Sequence, residues 1–300
     1  MKILTNLTKK SAALAACAGV ALALTSSGAW ATLVTTWSYS TDASFPTGAA
    51  TFSPGSAGTT TDSAYELSWG AAGGNFQAPT SDPLANRSAL TIGTDAGANR
   101  TGGGPATGSV NTNFDGTLSL SEIGLGTTFT HWNNPISTTF PMLTGGIVHD
   151  TLTLTGQLPN PPFPGAAETL PAIDFSFEFR ETNNDAACAG GTANPCPDLF
   201  GILGAPSNLT QAFSYASENY LATIFVLDPL GGPLPFGTLL PGECAALGLA
   251  AGCQGFRTAE NADTTVQFGF SVSAVPEPGS LALFGIALVG LGFSIRRKLS

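Results

Sequence analysis

From residue 173 the chain alternates apolar and polar side chains without a break: Ile173, Phe175, Phe177 and Phe179 against Asp174, Ser176, Glu178 and Arg180. Successive side chains of a strand point to opposite faces, so this period of two predicts a strand with one face in a core. Val266, Phe268, Phe270 and Val272 against Gln267, Gly269, Ser271 and Ser273 repeat the pattern and predict the last strand of the body. Leu33, Trp37 and Tyr39, then Tyr65, Leu67 and Trp69, mark two strands near the start. Leu118 with Leu120, and residues 148–154, mark two in the middle. Residues 220–227, YLATIFVL, are apolar on both faces and suit a strand covered on each side. Residues 208–219 are the one stretch read as a short helix.

Turn-rich segments rich in Gly, Pro, Asn and Ser separate these runs at residues 45–63, 70–87, 94–112, 159–171 and 228–242. Short strands joined in this way predict an all-β domain, an antiparallel β-sandwich of jelly-roll-like form. No fixed-period repeat is evident, which argues against a propeller or β-helix. The stretch 70–112 is poor in apolar residues and reads as a surface insertion or a partly disordered segment.

The two ends carry a different pattern. Lys2, Lys9 and Lys10 precede an apolar run at residues 12–24, followed by Ala29-Trp30-Ala31. That is the layout of a secretory signal peptide over residues 1–31, cleaved after Ala31 by the general secretion machinery. At the other end Val275-Pro276-Glu277-Pro278 leads into an apolar run at residues 281–295 and then Arg296, Arg297 and Lys298. The prolines stop a preceding strand. The apolar run suits a single transmembrane helix, and the basic end stays on the cytoplasmic side. At about 22 Å of helical rise the run is short for a permanent anchor. This tail, residues 275–300, resembles the PEP-CTERM sorting signal of biofilm-forming bacteria with outer membranes. The resemblance implies processing by an exosortase, transient anchoring in the inner membrane, and delivery to the cell surface or extracellular matrix.

Composition fits export. The body, residues 32–274, has no lysine, and four arginines face nineteen carboxylates. A surface this acidic repels nucleic acid, whose phosphates need clustered Lys and Arg. Once Cys17 leaves with the signal peptide, four cysteines remain: Cys188, Cys196, Cys244 and Cys253. An even count in an exported chain reads as two disulfides. The short separations favour Cys188 with Cys196 and Cys244 with Cys253, although three pairings satisfy the count. A zinc site has little to build on with two histidines and no Cys-x-x-Cys.

One local motif stands out, Thr130-His131-Trp132-Asn133, followed by Asn134-Pro135. Here the chain resembles the THxN family of PEP-CTERM proteins, with Thr130, His131 and Asn133 at the matching positions. The resemblance supplies no reaction. Asn-Asn-Pro predicts a turn, so His131 has two roles open to it, a structural one on the loop or sandwich edge and contact with a ligand. Acids gather near the first cysteine pair: Glu181, Asp185 and Asp198 offer oxygens of the kind that hold calcium, or form a solvated loop. No other cofactor is indicated.

Catalytic motifs are missing: no Gly-x-Ser-x-Gly, no His-Glu-x-x-His and no phosphate-binding glycine loop. Asp174 and Glu178 on one strand face are the one carboxylate pair that a polysaccharide hydrolase could use. The expectation is a non-catalytic surface or matrix protein that holds exopolysaccharide through Trp, Asn and Thr. A secreted polysaccharide-active hydrolase and a membrane-retained binding module are the alternatives.

Overall fold

The computed structural model describes residues 33–95, 97, 99–158, 167–182, 188, 196–202, 209–227 and 235–275. The chain divides into two units, Met1–Leu33 and Val34–Ser300; of the first, Leu33 alone is described. The expected signal peptide with Ala29 and Ala31, and the expected transmembrane helix with its Pro-Glu-Pro entry, lie outside the described residues. Among the described residues no helix is long and apolar enough to cross a membrane.

The body is built of strands: β1 (Thr36–Ser44), β2 (Thr51–Phe52), β3 (Thr59–Ser63), β4 (Glu66–Gly70), β5 (Arg87–Gly93), β6 (Ala106–Asn113), β7 (Gly124–Asn133), β8 (Leu143–Leu158) and β9 (Glu168–Thr169). Then follow β10 (Ile173–Arg180), β11 (Asp198–Ile202), β12 (Thr210–Tyr215), β13 (Glu218–Leu227), β14 (Gly237–Thr238), β15 (Gln254–Thr258) and β16 (Ala262–Ala274). The one α-helix among the described residues, α1 (Pro241–Ala246), starts on a proline and is capped by Glu243, whose carboxylate accepts from Leu240 N at 2.8 Å.

These strands join into one hydrogen-bonded path, β14-β15-β11-β10-β8-β1-β6-β16-β7-β5-β4-β3, with β12 and β13 added beside β16. The all-β expectation holds, but the sheet is continuous, and β6 runs parallel to β16 through Val272–Thr112 and Ser273–Asn113. The path folds back on itself. Val148, Phe177, Phe200 and Phe256 of the first arm share one core with Leu67, Trp69, Leu90, Phe129 and Val266 of the second. A separate aromatic cluster sets Trp37 edge-on to Phe213, Tyr215 and Tyr220 at 4.9–5.7 Å.

Three sequence expectations change. The stretch 70–112 is not one surface insertion: residues 72–85 are largely exposed, but β5 lies wholly buried between β4 and β7. Its one charge, Arg87, is 6% exposed and donates to Thr59, Thr61, Ser68 and the Ala71 carbonyl. Of the expected helix at 208–219, residues 210–219 instead form β12 and the start of β13, a hairpin closed by Ala216 and Ser217 at φ 51° and 69°. Leu118 and Leu120 are exposed in and before a single 3-10 turn, Leu120–Glu122. The strands read at 173–180 and 266–272 stand where the alternation put them.

Candidate functional site

The THxN motif is strand, not loop. Its residues close β7, whose neighbours β16 and β5 pair with it on both sides, and the Asn134-Pro135 turn comes after. Strand alternation then divides the motif between two faces. On the outer face Thr130 Oγ1 lies 2.9 Å from Thr265 Oγ1, and Trp132 Nε1 donates to Thr91 Oγ1. The Arg100 guanidinium covers the Trp132 ring at 4.2 Å and pairs with Asp263. His131 and Asn133 point the other way, into the space between the arms.

There His131 is 1% exposed. Its ring stacks on Trp69 at 6.2 Å and meets Phe179 edge-on at 4.9 Å. The nearest carboxyl is Asp198, with Oδ2 3.6 Å from Nε2, too long for a hydrogen bond. Neither ring nitrogen has a hydrogen-bond partner among the described residues. Burial without a compensating charge disfavours imidazolium and lowers the pKa to about 3. His131 is therefore neutral at any ordinary pH.

The same cause shifts the acids around it upward. Asp198 opens β11 and is 1% exposed; its Oδ1 accepts from Thr182 N at 2.9 Å and from Thr182 Oγ1 at 3.2 Å. Burial raises its pKa, and Glu260 adds to the rise. Glu181, directly after β10, accepts from Trp69 Nε1 at 2.8 Å. Burial and then the Asp198 charge push it well above the usual carboxylate range. Asn133 donates from Nδ2 to the Thr258 carbonyl of β15 at 2.9 Å.

The geometry thus unites His131, Asn133, Glu181 and Asp198, residues separated by up to 67 positions in the chain. Each link runs from arm to arm: Trp69 to Glu181, His131 toward Asp198, Asn133 to Thr258. Glu181 and Asp198 do not form the solvated loop that their setting in the sequence suggested, because β10 and β11 carry both beneath β7. Asp185, the third calcium candidate, lies outside the described residues. Among the described residues no group of three His, Cys, Asp or Glu is placed to hold a metal ion. Trp69, Phe179 and Glu260 complete the cluster, and no motif in the sequence marks them. The cysteines pair as expected, Cys188 with Cys196 and Cys244 with Cys253, with Cα–Cα distances of 5.1 and 5.8 Å.

The other candidates are elsewhere. His149 Nδ1 lies 2.7 Å from Asp174 Oδ1 on an exposed part of the first arm. The folded body ends at Val275, whose N–H donates to the Asn219 carbonyl at 2.9 Å. The chain then passes into its tail.

Residues 274–298 match the PEP-CTERM protein-sorting motif. The PEP-CTERM motif implies processing by an exosortase and export to the cell envelope. It takes in Val275, Pro276, Glu277, Pro278, Arg296, Arg297 and Lys298. No curated protein matches the chain in a sequence comparison.

Proposed function

We propose that this chain is an exported, non-catalytic protein of the cell surface or extracellular matrix, a THxN-type domain carried on a PEP-CTERM tail and associated with exopolysaccharide. The observation that carries the reading is the position of the sorting motif, which begins as β16 ends. The last described backbone bond of the body is made by Val275, one residue before Pro276, so cleavage after Val275 leaves every described strand in place. At the other end the folded unit starts at Val34, beside the expected cleavage point.

In this reading the THxN motif is structural, stitching the two arms of a β-sandwich together. A side chain 1% exposed has no access to a polysaccharide. The hydrolase alternative draws no support from Asp174 and Glu178: four residues apart on one strand, their Cα atoms stand ~13 Å apart, against a carboxyl separation of ~5 to 9.5 Å in glycosidases. The transient anchor is the apolar run at 281–295.

Intact-mass measurement of the protein from culture supernatant and from membranes, with and without the exosortase, tests the sorting reading. The expected species in supernatant begins near Thr32 and lacks Arg296, Arg297 and Lys298. A secreted species that keeps Arg297 in wild-type cells would sink it. Retention of the secreted form on the cells' own exopolysaccharide, against a matched neutral glucan, tests the association.

A further inference from the structure

The two arms do not close fully on one another. Between them lies a cavity of about 230 Å³. One wall is Phe177, Phe200 and Phe256 of the first arm, and the other is Phe129, Ile224 and Val266 of the second. Half-buried Phe175 and Phe268, one from each arm, stack at 6.0 Å with 15° between their planes and belong to the same lining. Gln254 is the one polar side chain among the described lining residues, and its Nε2 already donates to Thr238 Oγ1 at 2.8 Å.

Native cores pack as densely as organic crystals, and voids much larger than a water molecule are few. An apolar cavity of ~150 Å³ stays dry and is large enough for benzene, so this one accommodates a larger ring system. Eight phenylalanines in the lining present both ring faces and ring edges, the geometry in which aromatic guests are held. Among the described residues no charged side chain lines it, so an ion entering would lose its hydration with nothing in return from them. The Gln254 amide is the one described lining group able to hydrogen-bond a guest.

We propose that this cavity is a binding site for a small uncharged aromatic molecule of one or two fused rings, carrying at most one hydrogen-bond donor. None of the described residues that line it belongs to the THxN cluster.

Indole is the probe and indole-3-acetate its charged control, titrated into the exported protein by calorimetry. Saturable binding of one indole per chain is expected, with the anion at least tenfold weaker. Val226→Trp and Ile202→Phe each add bulk at a half-buried lining position. Either variant that keeps the wild-type circular dichroism should lose indole binding at least tenfold. NMR of the unaltered protein supplies the measurement that needs no variant: methyl shifts on titration should centre on Ile224 and Val266. No saturable binding up to the solubility of indole, undiminished binding in a folded filled variant, or shifts centred elsewhere would each overturn the proposal.

Discussion

Replacing His131 by alanine separates a structural histidine from a ligand-binding one, and the size of the effect follows from the geometry. The imidazole fills the space between Trp69 and Phe179 at the seam of the arms. Truncating a buried Phe or Trp to Ala costs ~3 to 5 kcal/mol. Imidazole is smaller, and removing two nitrogens without partners relieves part of the loss. A net penalty of about 2 kcal/mol at pH 7.5 is the expected outcome. The pH dependence is the sharper test. In the folded state the pKa is about 3, against 6.5 for an unperturbed histidine. The unfolded chain therefore takes up the proton first, so this contribution to stability is complete above pH 6.5 and is lost as pH falls toward 3. The loss runs at up to ~1.4 kcal/mol per pH unit, and the alanine variant does not share it. About 2 kcal/mol is lost within about 1.5 units, so the penalty should vanish near pH 5 and change sign below it. Urea unfolding of both proteins, followed by circular dichroism from pH 7.5 to 4.5, reads the difference directly. A penalty that stays constant across that range would refute the neutral buried imidazole, and a variant as stable as wild type at pH 7.5 would refute the structural role.

Asp150 works in the opposite sense. Burial pushes its carboxyl up to about 7 although Thr41 donates to it, so its contribution to stability is present below pH 4 and lost as pH rises through 7. Asp150→Asn should be more stable than wild type at pH 8 by ~1 to 2 kcal/mol, after relaxation of the site reduces the full linkage value, with no gain at pH 4; equal differences at both pH values would count against it. Arg87→Met strands the Ala71 carbonyl and several hydroxyls that the guanidinium now satisfies. Thermal unfolding should show a loss of about 3 kcal/mol, and a loss under 1 kcal/mol would mean that those bonds contribute little. The β12–β13 turn holds two L residues at positive φ, so Ala216→Asn with Ser217→Gly should stabilise by about 1 kcal/mol; no gain in the urea midpoint would show that the turn carries no strain.

What the sequence disclosed and what it hid divide along a physical line. A strand that buries one face writes its own alternation, which is why residues 173–180 were legible to their ends. β5 buries both faces, and its polar residues find partners brought by distant loops: Ser88 Oγ donates to the Asn134 carbonyl and Thr91 Oγ1 to that of Arg100. Polarity there says nothing about exposure. The β12–β13 hairpin hid for a local reason, since Ala-Ser carries none of the Asn-Gly signal that such a turn favours.

The THxN cluster joins both difficulties. Its residue types are those of a reactive or ligand-binding surface, and no local pattern shows that Glu181, 50 positions downstream, will meet Trp69 or that Thr258 will meet Asn133. Once β7 is recognised as a strand, though, the spacing becomes informative: positions 131 and 133 must share a face and position 130 must take the other. The two that share a face both reach toward the opposite arm, while Thr130 binds within its own arm, to Thr265 of β16. A motif that spends its polar groups in this way fixes how two arms meet. The sorting motif that matches lies wholly beyond that seam, at residues 274–298, so loss of the tail and loss of the seam should be separable: truncation after Val275 should leave the His131-dependent acid sensitivity of unfolding unchanged.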